Sequence, residues 1–60
     1  MSNIVDVQIW HNEKLWDSVD LNLDADYEAP GGMEGVAHLF EEALEALEPG
    51  ERFTLIAQRL

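Results

Sequence analysis

The sequence contains no cysteine. That absence excludes disulfide staples, thiolate metal sites and cysteine nucleophiles together. It suits a reducing compartment, so a cytoplasmic location is expected. Cations are nearly absent too. Three Lys and Arg residues stand against thirteen Asp and Glu, a formal net charge of −10. None of the three lies between Leu15 and Glu51. A chain so balanced repels nucleic acid and anionic lipid and attracts basic surfaces. No apolar stretch approaches the roughly 20 residues that cross a bilayer. The opening "MSNIVDVQIW" lacks the basic start and long apolar run of a secretory leader. The segment "PGGMEG" has neither the lysine of a phosphate loop nor the spacing of a dinucleotide fingerprint, so no cofactor is expected.

What remains is short and apolar enough to fold. With 60 residues, 47% of them hydrophobic, residues 1–60 are expected to form a single globular domain. A domain of this size buries only roughly 60% of its unfolded surface. It has room for one helix and a small sheet, and little for a deep catalytic pocket.

Two segments alternate with the period of a strand. In residues 3–11, "NIVDVQIWH", Val5, Val7 and Ile9 share one face, while Ile4, Asp6, Gln8 and Trp10 share the other. In residues 15–24, "LWDSVDLNLD", Val19, Leu21 and Leu23 oppose Trp16, Ser18, Asp20, Asn22 and Asp24. Core residues are odd-numbered in both segments, so directly opposed pairs must have an even sum. A plain two-residue loop at Asn12–Glu13 violates this. A three-residue loop restores it, opposing Val5 to Leu21, Asp6 to Asp20, Val7 to Val19 and Trp10 to Trp16. The expectation is a hairpin with an odd loop or a bulge.

After the loop "ADYEAPGG" the period changes. Met33, Val36, Ala37, Phe40, Leu44 and Leu47 follow helical spacing, with Leu39 and Ala43 on the flanks, until "EPG" stops the helix. Residues 52–60 read as a third strand, with Phe53, Leu55 and Ala57 toward the helix. The fold class expected is α+β, β-β-α-β: a three-stranded antiparallel sheet of order 2-1-3 with one helix on one face.

The candidate chemistry is sparse. Asp20, Asn22 and Asp24 begin like a calcium loop, but Ala25 and Gly31 stand where its glycine and its bidentate glutamate belong. No metal site is expected. Ser18 and His38 could join many acids as a catalytic set, yet in so acidic a chain that arises by chance, and no nucleophile elbow supports it. The chain is not expected to be an enzyme. His38 is one helical turn from Glu34, which suggests a local ion pair.

The acids have no stabilising explanation. Glu34, Glu41, Glu45 and Glu48 form a helical stripe with no cation beside them. Glu45 and Glu48 fall in the last turns, where the helix dipole disfavours negative charge by roughly 0.3–1 kcal/mol each. Asp6, Asp20, Asp24, Asp26 and Glu28 line the first two strands and the loop that follows. Trp10 and Trp16 project from the face opposite the core, as a cross-strand staple or as contact anchors. These eleven residues are the candidate partner-binding set.

In size, charge and layout, carried by "NIVDVQIW", "DLNLDADYE" and "LFEEALEALEPG", the chain resembles the small acidic phage-encoded inhibitors that mimic DNA, anti-CRISPR proteins in particular. The resemblance implies an inhibitor that binds a Cas surveillance subunit and blocks target DNA. From the residues alone, the expected partner is a basic nucleic-acid-binding protein, with neither nucleic acid nor membrane bound directly. The alternative is a non-mimic interaction module, an antitoxin or assembly subunit, using the Trp10/Trp16 face or a free sheet edge.

Overall fold

A computed structural model describes residues 2–60. The elements are β1 (Ile4–His11), β2 (Lys14–Asn22), α1 (Met33–Glu45) and β3 (Phe53–Arg59). Both strand pairs are antiparallel and the sheet order is β2-β1-β3. Helix α1 packs on one face, where Leu39 and Ala43 meet Ile9. The fold is the expected α+β arrangement.

The parity problem of the hairpin is solved by a bulge. The turn is the two-residue Asn12–Glu13, with φ of 50° and 73°, and His11 opposes Lys14. A positive φ at both central residues matches the twist of the flanking strands. The register slips between Ile9 and Trp10, so that Ile9 opposes Asp17 while Trp10 opposes Leu15. Trp16 is the extra residue. Beyond it Val7 faces Val19, Val5 faces Leu21 and Asp6 faces Asp20, as parity requires. The expected Trp10–Trp16 pair does not form. The bulge turns Trp16 toward the helix side, where its ring meets Phe53 at 5.8 Å.

Strand β2 ends at Asn22, two residues short of expectation. The Asn22 side chain accepts the Asp24 N–H (2.9 Å) and its carbonyl accepts the Ala25 N–H (3.1 Å). This local turn outcompetes continued pairing. Leu23 is therefore 48% exposed rather than part of the core. The following loop folds back on the start of α1. Tyr27 O accepts the Glu34 N–H and Ala29 O accepts the Gly32 N–H, which replaces the side-chain cap that Gly32 cannot supply. A β-carbon on Gly32 would lie 2.1 Å from Asp26 O and 2.9 Å from Tyr27 O.

The core is Val7, Ile9, Leu21, Leu39 and Ala43. The helical stripe is rolled relative to expectation. Leu39 and Ala43, read as flanks, are the buried pair, while Phe40 and Leu44 remain 42% and 51% exposed. Helix α1 lies over β2 and β1. Leu55 and Ala57 point to the helix side of β3, yet both are exposed. The helix ends at Glu45 with Ala46 as its cap, so Glu48 lies beyond it rather than in its last turn.

Two substitutions test these local arguments. Gly32→Ala should destabilise by about 2–3 kcal/mol, because loop backbone must move. Gly31→Ala, at φ 81° with open space around it, should cost only about 1 kcal/mol. Equal losses in thermal melts would show that the close approach at Gly32 is relieved cheaply. Glu13→Gly removes a left-handed residue at the expense of an exposed ion pair to Arg52. It should stabilise by about 0.5–1 kcal/mol, a rise in Tm of roughly 2–8 °C. A lowered Tm would show that the Arg52 contact outweighs the backbone cost.

Candidate partner-binding surfaces

The sheet face away from α1 is bare. Along β1 its side chains form a relay: Trp10 Nε1 donates to Gln8 Oε1 at 3.0 Å, and Gln8 Nε2 donates to Asp6 Oδ2 at 3.2 Å. These i, i+2 neighbours point the same way because strand side chains alternate. The relay fixes the indole and aims one amide at the Asp6 carboxylate. Asp20 lies directly across from Asp6, a like-charge opposition that destabilises the pair. Leu15 faces Trp10 and Ile56 faces Gln8, both about half exposed. The bare face is thus apolar toward the hairpin end and acidic toward the other. Trp10 belongs to it and Trp16 does not.

The acidic end continues into the loop. Asp24, Asp26 and Glu28 are all exposed, and Asp24 accepts a hydrogen bond from the Asn3 side chain. The helical acids form a separate set. Glu34, Glu41 and Glu45 follow one stripe on the outer side of α1, on the opposite layer from Asp6 and Asp20. With Glu42, the helix carries four carboxylates over 13 residues. That is about one per 5 Å of axis, against one per roughly 3.4 Å along a single DNA strand. The structure therefore brings the candidate acids together as two surfaces, and Glu48 sits apart from both in the turn before β3.

Among the described residues, where a histidine is cationic only when protonated, three contacts between an acid and a basic side chain form. They are His11–Glu51 (3.0 Å), His38–Glu34 (3.5 Å) and Arg52–Glu13 (3.3 Å). The other ten acids have no cation within 4 Å among the described residues. Arg59 is turned to Ser2 O and Asn3 Oδ1 instead.

The best-connected carboxylate was not a sequence candidate. Glu51 accepts the Glu48 N–H (2.9 Å) and the Asn12 side-chain N–H (2.9 Å), and it touches His11. Asn12 also donates its backbone N–H to Arg52 O, so the hairpin turn is clasped to the start of β3. His11 in turn stacks on Phe53 at 4.9 Å. Hydrogen bonding from the Glu48 N–H holds the Glu51 carboxyl below its usual value of 4.5, helped by His11 and Asn12 and opposed by desolvation. Sequence signals for this cluster are weak because its members lie 39 positions apart.

His38 pairs with Glu34 across one helical turn. Ser18 uses its backbone N–H on Asp17, and no hydrogen bond joins it to His38 among the described residues. No described group of three His, Asp or Glu residues is placed to hold a metal ion. No described helix is long and apolar enough to cross a membrane.

The Glu51 clasp makes a pH prediction. A depressed folded pKa means that ionised Glu51 contributes stability above about pH 4.5, and that this is lost as pH falls through the lower folded value. The Tm gap between the parent and Glu51→Gln should be open at pH 7 and narrow as pH falls below about 4.5. A gap that persists at pH 2.5 would show that Glu51 acts by packing rather than charge.

No protein-family model, curated protein or solved structure matches this chain.

Proposed function

We propose that this chain is a small acidic inhibitor that occupies a positively charged nucleic-acid-binding site on a partner protein and blocks DNA access. Its specific form is an anti-CRISPR protein acting on a Cas effector complex by DNA mimicry, in the cytoplasm of a host cell if the chain is phage-encoded. One observation carries the reading: among the described residues ten of thirteen carboxylates have no basic side chain beside them, six of the ten on the strands and helix and four in the loops. Unpaired acids of one sign cost a small fold stability, so a role outside the fold accounts for them better than one within it. Basic sites evolved for phosphates offer the complementary surface. Long-range attraction would speed the encounter, and local apolar contacts would give selectivity.

A second reading rests on the bare face. Trp10, Leu15 and Ile56 present apolar surface there, which suits a non-mimic interaction module such as an antitoxin or assembly subunit.

Displacement separates the two. The chain is titrated into complexes of labelled duplex with purified DNA-binding proteins, a CRISPR surveillance complex among them. The inhibitor reading expects duplex release, with affinity falling at least about tenfold between 50 and 200 mM salt. Asp20→Asn should weaken that binding while stabilising the fold by roughly 0.2–1 kcal/mol, since the Asp6 opposition disappears. Binding that ignores salt, leaves the duplex in place and is lost on Trp10→Ala would sink mimicry and favour the module.

A further inference from the structure

The roll of α1 leaves a groove on the helix side of the sheet. Phe40, Leu44 and Leu47 form one wall, and Ile9, Phe53 and Leu55 lie beneath and opposite, enclosing about 350 Å³. Phe40, Leu44 and Leu55 are each 42–51% exposed, so the groove is open to solvent. Its shape follows from widths. Packed helices sit about 8–10 Å apart and strands about 4.8 Å apart. With α1 over β2 and β1, its axis lies about one and a half strand spacings, roughly 7 Å, from β3, so a second helix at packing distance would cover β3 and overhang its outer edge.

The charge around the groove selects the helix. At about 100° per residue, Glu41 lies roughly 60° beyond Leu44 on the outer side of α1. Glu48 follows Leu47, and Glu51 lies at the groove's end. The one cation on the lining, Arg52, is already paired with Glu13. We infer that the α1/β3 groove binds a cationic amphipathic helix of a partner protein, seating its apolar stripe on Phe40, Leu44 and Leu55 and its Lys or Arg residues against Glu41 and Glu48. This rests on the reading of a basic partner given above, and it names the element of that partner that is gripped. A second copy of this chain fits poorly. Docking α1 beside α1 would set the same acids against one another, between molecules that each carry −10. A strand added to the free edge of β3 would extend the sheet but leave Phe40 and Leu44 uncovered.

The test uses the full chain and two synthetic 18-residue amphipathic helices, one of Leu and Lys and one of Leu and Glu, followed by calorimetry. The lysine peptide should bind one to one, and the glutamate peptide should not bind. Leu44→Gln with Leu55→Thr should weaken the lysine peptide at least tenfold with an unchanged circular dichroism spectrum, since both positions are exposed. Glu41→Gln with Glu48→Gln should weaken it several-fold and flatten its salt dependence. Three results would overturn the inference. One is equal binding of both peptides. Another is lysine-peptide binding that the Leu44/Leu55 changes leave intact, which would mark general attraction to acid. The third is a concentration-dependent dimer of the chain alone, seen by sedimentation and dissolved by those changes. Duplex displacement is scored separately. Displacement that survives the Leu44/Leu55 changes removes the groove and keeps the inhibitor. Peptide binding without displacement from any DNA-binding protein keeps the groove and removes the inhibitor.

Discussion

The single helix covers two of the three strands, and most of this structure follows from that. A helix with its side chains is about 10–12 Å across, whereas three strands with their side chains are wider. Helix α1 must choose a pair, and it takes β2 and β1. The core is then confined to where helix and hairpin meet, and it closes with five buried residues. Everything on β3 and on the reverse of the sheet stays within reach of solvent. The accessible surface, 4407 Å², exceeds the roughly 4,000 Å² expected for a folded chain of this size.

The same constraint explains where the charge can go. Ionised acids need water unless paired. None of the thirteen is fully buried, and no buried polar atom is left unsatisfied among the described residues. Asp6 is half-buried in the middle of the central strand. It has Gln8 as a donor on one side and Asp20 as a repulsive neighbour on the other. A sheet built only for stability would place a cation at one of those positions. The hairpin end is the exception to the general repulsion. There Glu51 is bonded to Glu48, Asn12 and His11, and the acid is part of the structure.

How much of this was legible in the sequence depended on the range of the competing interactions. Strand period, helix period and strand order came from local alternation and short connections, and they agree with the structure. The odd-even rule showed that the hairpin needed one extra residue. It could not choose between a longer loop and a bulge, because both satisfy it. The choice decides which face Trp16 occupies, so the two tryptophans part company. Leu23 fits a strand by pattern, but the Asn22 turn acts over two residues and wins. The roll of α1 was hidden for another reason. Its apolar arc spans about 140° from Leu39 to Leu44, wide enough for several orientations. The loop carbonyls around Gly32 anchor one end of the helix, and loop geometry is not written in periodicity. The Glu51 clasp joins segments far apart in the chain, where single-sequence reasoning has no handle.

The two kinds of open surface have different reach, and together they suggest an order of events in binding. Carboxylates act over about a Debye length, near 8 Å at physiological ionic strength, and do not depend on detailed fit. They favour any basic protein. The apolar groove and the Trp10 face act only on contact and reward shape. A chain with acids alone would adhere to many cationic surfaces, and one with the groove alone would meet its partner slowly. If the groove grips a cationic helix as proposed, setting Glu41 beside Leu44 on one helix would join long-range attraction to short-range selection within a single turn. The narrow helix that leaves the groove open is therefore also what brings the two into register.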